Sequence, residues 1–290
     1  MLKVTEFLKE KNIPAVLIEN ISCLDIEKVF DCGQCFRFDP VSIFGDKKEI
    51  GGVAFGRFVV FGQNDLNSLV IYNSTRDDFY NIWLNFLSLD VDYDKINREI
   101  LEAEPSLYMK ESVLCSYGIR ILRQDPWEAL CSFIISQNNN IPRIKGIIEK
   151  MCKKYGESVY FRGVEYFSFP SPSALFLAGE SEIFALKTGF RAKYIIDASL
   201  KVLKGEIDFN YIYNSSFENA LSHLTRIKGV GLKVASCTLL FGFNKTEAFP
   251  IDVWIKRILD EHFKNGINLD GLNKNAGIAQ QYLFFRGRYN

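Results

Sequence analysis

The sequence predicts an α+β protein, with an N-terminal antiparallel β domain over residues 1–105 and a larger, mostly α-helical domain over residues 106–290. Three observations predict it. Up to about residue 105, short apolar or aromatic runs are broken by Gly, Asn and Asp-rich turns, which is the strand signature. Beyond that point, apolar residues recur at helical spacing and segments end on glycine. Charge divides at the same place. Residues 1–105 carry 11 Lys+Arg and 18 Asp+Glu, a net of −7, and residues 106–290 carry 24 and 17, a net of +7, within a chain of zero formal charge. The second half is suited to a polyanion while the first faces water.

In order, the strand-like runs are 36–40 (FRFDP), 42–45 (SIFG), 50–63 (IGGVAFGRFVVFGQ) and 68–73 (SLVIYN). A helix is expected over 77–88 (DDFYNIWLNFLS), where apolar residues take helical spacing. In the second domain, helices are expected over 126–137, 141–156, 173–189 and 193–205. The chain has no internal repeat, long linker or low-complexity stretch.

Composition narrows the class. Hydrophobic residues make up 48% and aromatics 14%, so the chain builds a packed core rather than a disordered ensemble. No run reaches the roughly 18 apolar residues of a membrane span, and the N-terminus lacks an apolar signal core. A soluble, intracellular protein with no membrane partner is expected. The seven cysteines are odd in number and scattered, which points to reduced thiols. Cys32 and Cys35 form a C-x-x-C without a second ligand pair or a βαβ context, so no metal site is expected there.

The chemistry concentrates between Leu221 and Ile258. Leu221, Leu224 and Ile227 share one helix face, Lys228-Gly229-Val230-Gly231 makes a tight turn, and a second helix runs on from Leu232. Gly229 and Gly231 allow positive φ and close backbone approach. The free amides and dipole of the second helix suit a DNA phosphate. Gly-x-Gly also ends ordinary helices, so the turn alone leaves DNA binding at even odds. Lys233 sits in the first turn of that helix, where a cation is poorly placed. It is either a solvated or phosphate-contacting lysine, or a neutral amine that attacks an electrophilic carbon and forms a Schiff base. Asp252, before Val253, Ile255, Ile258 and Leu259, is a natural N-cap. The same carboxylate can stabilise positive charge on a sugar ring, and the two roles are compatible.

With the lysine and the aspartate of 249–254 (FPIDVW), this hairpin is similar to that of the helix-hairpin-helix (HhH-GPD) DNA glycosylases. The resemblance implies a bifunctional glycosylase/lyase, because monofunctional members lack the lysine. Members with an iron–sulfur cluster carry four closely spaced C-terminal cysteines. No cysteine follows Cys237, so that cluster is excluded and no cofactor is expected. A cation on the hairpin carbonyls remains compatible with the motif. Further segments resemble the 8-oxoguanine branch in particular: 31–38 (DCGQCFRF), 120–128 (RILRQDPWE), 136–143 (SQNNNIPR), 188–194 (TGFRAKY) and 277–284 (GIAQQYLF). Together they cover the chain from about residue 30 to its end.

That branch implies residue roles. Lys233 is the nucleophile and Asp252 its carboxylate partner. The Gly33 carbonyl would accept from N7–H of 8-oxoguanine, a donor that guanine lacks. Cys237 and Phe284 would sandwich the flipped base, and Gln280 would bond its Watson–Crick edge. Taken singly, each has a plainer reading as turn glycine, core packing or surface amide. Asn138 would fill the gap left by the extruded base, Arg143 and Arg191 would donate to the widowed cytosine, and Phe190 would wedge. Two positions depart from the animal members, which have tyrosine at position 190 and histidine at 254, where this chain has Phe190 and Trp254. The expected partner is damaged double-stranded DNA, bound by a monomer in the nucleoid or the nucleus. A glycosylase of the same chemistry for another damaged purine stays open, as does, more remotely, a non-catalytic DNA-binding hairpin module.

Overall fold

A computed structural model describes residues 2–289. Its first part is a six-stranded sheet in the order β1-β2-β6-β5-β4-β3, antiparallel at every pairing. The strands are β1 (Lys3–Lys9), β2 (Ile13–Glu19), β3 (Phe38–Pro40), β4 (Lys48–Ala54), β5 (Arg57–Gln63) and β6 (Ser68–Tyr72). The run 50–63 divides into β4 and β5 at Phe55-Gly56, whose φ values of 50° and 70° are those of a two-residue hairpin turn. The helix expected over 77–88 forms in short pieces between Arg76 and Phe86. Thr75 and Asp78 close a reciprocal capping box at its start.

Three features differ from the sequence expectation. β1 and β2 lie before any of the runs named above. Their alternation is interrupted by charges and Pro14, and they become strands by pairing with each other and with β6. The run 42–45 is not a strand. It is a loop wrapped around the Glu49 carboxylate, which accepts the amides of Ile43, Phe44 and Asp46, while Phe44 stacks on Tyr72 at 3.8 Å. The helical part also contains a hairpin, β7 (Ser158–Phe161) and β8 (Val164–Phe167), turned by Arg162-Gly163. Its Phe161 and Tyr166 stack on Phe58 of β5 at 4.9 and 4.0 Å. The hairpin thus fastens the helical part to the sheet.

The other expected helices form as Pro126–Ser136, Ile141–Tyr155, Pro172–Ile183 and Ala192–Leu203. The third breaks direction at Gly179, with φ of 78°. No helix among the described residues is long and apolar enough to cross a membrane.

Two buried side chains close the seam between the parts. Arg120, 2% exposed, donates to the carbonyls of Ser22, Cys23, Ser88 and Val91, and its guanidinium lies 4.6 Å from the Tyr93 ring centre. Burial holds its pKa below the ordinary guanidinium value. Gln34, fully buried, donates to the carbonyls of Val29 and Arg120 and accepts from the Leu122 amide. These bonds tie the segment that carries Gly33 to the helical part. Arg120→Met would strip these four carbonyls of the guanidinium donor, leaving that of Ser88 with the Val91 amide. It is expected to lower stability by about 3 kcal/mol or more, read as the denaturant midpoint. An unchanged midpoint would contradict the assignment of Arg120 as a seam anchor.

Candidate active site

The second helix of the hairpin motif, Leu232–Phe243, begins at Gly231, which has no side chain to cap it. Its first amides are left for an external acceptor, and Gly231 and Leu232 are exposed there. Lys233, half-buried in that turn, has its Nζ 5.5 Å from the Phe133 ring centre. Asp252 caps the helix Val253–His262, with one carboxylate oxygen accepting from Trp254 N at 3.0 Å and Ile255 N at 2.9 Å. Among the described residues no donor is bonded to its other oxygen. The cap orients the carboxylate and leaves half of it for chemistry.

Gly33, Lys233, Cys237, Asp252, Gln280 and Phe284 line one pocket, together with Cys32, Phe133, Phe241, Pro250 and Gln281. All six predicted pocket residues therefore converge, from segments as far apart as residues 33 and 284. The pocket holds about 60 Å³, far below the roughly 300 Å³ at which ligand sites begin. A wall must move to admit a base. Of the three aromatic walls, Phe133 and Phe241 are buried and Phe284 is half-buried. A cleft of about 400 Å³ lies elsewhere, against β4 and the β7–β8 hairpin. Size does not locate this site; convergence does.

The pocket chemistry is graded. Burial pushes the Cys237 thiol up, with the Lys233 charge pulling the other way, so Cys237 presents a neutral, polarisable surface. Gln280 is 5% exposed, and its side-chain carbonyl oxygen is buried with no hydrogen-bond partner among the described residues. Such an acceptor costs free energy until a donor arrives. Gly33 has φ of +77°, and a Cβ there would lie 3.2 Å from Cε1 of Phe284. Only glycine suits that backbone and that close ring. Among the described residues nothing donates to the Gly33 carbonyl.

The two hairpin glycines differ. Gly229 has φ of +76°, and a Cβ would meet the Tyr194 ring at 2.4 Å. Gly231 has φ of −90°, not the positive value the turn pattern allowed, and a Cβ there would meet nothing within 4 Å. Gly229 is thus required by the fold, and Gly231 leaves an open face on the helix terminus.

The remaining predicted residues gather at a second locus. Asn138, exposed with φ of 46°, heads the turn before the helix Ile141–Tyr155. Arg191 lies beneath it, 3% exposed. Its Nε donates to Gln137 O at 2.9 Å, and its guanidinium amines donate to the carbonyls of Asn138 and Thr188 at 2.9 and 3.0 Å. Arg143 is exposed and donates to Lys187 O at 3.3 Å. Burial first, and then the Arg143 charge, lower the Arg191 pKa. Phe190 is 46% exposed, with the Arg191 guanidinium 4.4 Å above its ring. Arg191 is therefore placed to hold the Asn138 turn, with most of its guanidinium donors committed to backbone carbonyls.

The comparisons bear on this arrangement. Residues 16–130 match the 8-oxoguanine DNA glycosylase N-terminal domain, and residues 131–268 match the HhH-GPD superfamily of base excision DNA repair proteins. A solved 8-oxoguanine glycosylase/lyase of Clostridium acetobutylicum, in complex with DNA containing cytosine opposite 8-oxoguanine, is 34% identical. It superposes with a TM-score of 0.89 over 99% of this chain and 97% of that one. The chain belongs to the 8-oxoguanine DNA glycosylase family. A second solved member, MBOgg1 in complex with a low-affinity DNA ligand, is 36% identical, with a TM-score of 0.89, 99% of this chain and 98% of that one being covered. The N-glycosylase/DNA lyase of Saccharomyces cerevisiae is 29% identical over 88% of this chain and 72% of its own length.

Within this family frame, the sequence reading passed over Gln281, Gln124, Phe133 and Phe241. The aromatics read as core, and they are core on one side and pocket wall on the other. Gln281 sits next to Gln280, but its partner is the Cys32 carbonyl, 249 positions away. Among the described residues, no group of three or more His, Cys, Asp or Glu side chains is arranged to hold a metal ion.

The glycines give a paired prediction. Gly229→Ala is expected to cost about 2–3 kcal/mol through left-handed strain and the Tyr194 clash. Gly231→Ala is expected to keep the melting temperature of the free protein and to weaken duplex DNA binding. Thermal melts and DNA titrations of both variants check this; equal melting losses would contradict it.

Proposed function

We propose that the chain excises 8-oxoguanine paired with cytosine from duplex DNA and nicks the resulting site, as a bifunctional glycosylase/lyase of base excision repair. The observation that carries the reading is the partnerless, buried Gln280 acceptor in the same pocket as the Gly33 carbonyl, Lys233 and Asp252. The N1–H and exocyclic amine of a flipped 8-oxoguanine would satisfy Gln280, and its N7–H would reach Gly33. Guanine would set its N7 lone pair against the same carbonyl and be rejected. Cys237 and Phe284 would hold the two faces of the base.

Chemistry then follows from the lysine. Its amine forms a bond to the anomeric carbon as the bond to the base N9 breaks, and the base leaves carrying a proton. The free oxygen of Asp252 stabilises the oxocarbenium-like charge on the sugar. Ring opening gives a Schiff base, loss of a 2′ proton expels the 3′ phosphate, and the strand is nicked. Asn138, Phe190 and Arg143 would occupy the gap in the duplex, with Arg191 holding their platform and reading the widowed cytosine once released. Gly229 and Gly231 would bring the hairpin amides to a phosphate. The division of the chain near residue 105 belongs to this reading, because the first part supplies Gly33 and the second supplies the nucleophile, its carboxylate and the DNA contacts.

The same reading makes the protein a monomer acting on chromosomal DNA, in a nucleoid or a nucleus. The chemistry uses a side-chain amine and no resident cofactor. A cation on the hairpin carbonyls would aid phosphate binding, and no chemical step runs through it.

Lys233→Gln is expected to reduce base removal by about a thousandfold or more. The variant should still bind an 8-oxoguanine:cytosine duplex near wild-type affinity, and borohydride should no longer trap a covalent adduct. A variant that loses binding as much as catalysis would make Lys233 a phosphate contact and sink the mechanism. A wild-type enzyme that prefers another damaged purine in a lesion panel would overturn the substrate.

A further inference from the structure

The Gly33 carbonyl lies between two peptide groups that are held from opposite sides. Gln281 Nε2, on the C-terminal helix Ala276–Tyr289, donates to the Cys32 carbonyl at 2.7 Å. Gln124 Nε2 donates to the Gln34 carbonyl, also at 2.7 Å. Both side chains are buried, at 2% and 9% exposure. Gln124 is itself anchored, its amide donating at 2.8 Å to the carbonyl of Phe241, on the helix that carries Lys233. The carbonyl between them, that of Gly33, carries no donor from the described residues. We propose that Gln281 and Gln124 are positioning residues that set lesion discrimination, by fixing the Gly33 carbonyl toward the base pocket. The proposal rests on the reading that this carbonyl accepts from the lesion.

The physical need for such a clamp lies in the glycine. Gly33, at φ of +77°, has no Cβ to restrict it, and a glycine peptide can turn over at little steric cost. A carbonyl that turns away from the pocket no longer penalises guanine, so discrimination requires a fixed dipole rather than a merely present one. Locking the preceding and following peptide groups with buried amides leaves the middle one little room to rotate. Each clamp also links the recognition loop to a helix that supplies another pocket group. Gln281 adjoins Gln280 in sequence and lies one turn from Phe284, and the Gln124 backbone is bonded near the end of the helix Leu232–Phe243 that carries Lys233. Recognition and chemistry are thereby held in one register.

A purely structural role, satisfying two buried carbonyls, predicts a general loss of stability and of every activity. Positioning predicts a selective loss. In a Lys233→Gln background, which binds without cleaving, the affinity for 8-oxoguanine opposite cytosine is compared with that for 7-deaza-8-oxoguanine, where C–H replaces N7–H. The parent is expected to prefer 8-oxoguanine by about tenfold, one net hydrogen bond. Gln281→Met, and independently Gln124→Met, are expected to bring that preference close to unity. With Lys233 intact, Gln124→Met, whose side chain lies outside the pocket lining, is expected to nick a preformed abasic site within about twofold of wild type, a change too small to register a lost bond. A preference kept in both variants would overturn the clamp while leaving the Gly33 contact standing. A preference lost together with abasic-site nicking would make the glutamines structural and would also overturn it. A parent with no preference would remove the Gly33 reading itself. Because the two glutamines reach the loop from different segments, Gln124 from the stretch before the helix Pro126–Ser136 and Gln281 from the helix Ala276–Tyr289, a folding failure in one variant leaves the test to the other.

Discussion

The backbone from Cys32 to Gln34 is held across the seam between sheet and helices by side-chain amides, and the site depends on that attachment. Gln34 bonds inward to Val29, Arg120 and Leu122, while Gln124, before the helix Pro126–Ser136, and Gln281, on the helix Ala276–Tyr289, bond to the loop. Arg120 completes the seam through backbone carbonyls alone. Every one of these groups is buried, and each would cost free energy if left unpaired. The seam brings Cys32 and Gly33 to a pocket whose other walls come mostly from helices.

Two helix starts converge on that pocket. One, at Gly231, has no cap and presents free amides beside the lysine. The other, at Asp252, is capped by a carboxylate with one oxygen committed and one spare. The arrangement puts an amine and a carboxylate at the ends of rigid elements, where small displacements are resisted by helix packing. The walls are neutral, since the buried Cys237 and Cys32 thiols are both pushed upward, Cys32 to about 12. The charge asymmetry has a physical counterpart here, because the positive half carries both helix starts and the Asn138 platform.

Much of this was legible in the sequence because it is local. Lys233 and Cys237, and likewise Gln280 and Phe284, are four apart on helices, so each pair shares a face. The Gly-x-Gly turn and the capping aspartate are also local patterns. What was hidden depends on contacts that spacing does not encode. β1 and β2 are strands through their pairing, and the 42–45 run bends because Glu49 lies beneath it. The β7–β8 hairpin was obscured by the helices around it, although Arg162-Gly163 is a recognisable turn. Arg191 was expected to donate to the widowed cytosine, and only the fold shows the Gln137, Asn138 and Thr188 carbonyls around it. Gln124 and Gln281 bond to partners 90 and 249 positions away.

The central claim is that the Gly33 carbonyl is a fixed acceptor for the lesion in the Lys233 pocket. The most direct measurement is a crystal structure of Lys233→Gln bound to a duplex with one 8-oxoguanine opposite cytosine. The account predicts the base extruded between Cys237 and Phe284, with N7 about 2.8–3.0 Å from the Gly33 oxygen and its Watson–Crick edge on Gln280. An extruded base seated away from Gly33, or a loop whose Gly33 carbonyl has turned over in the complex, would contradict it.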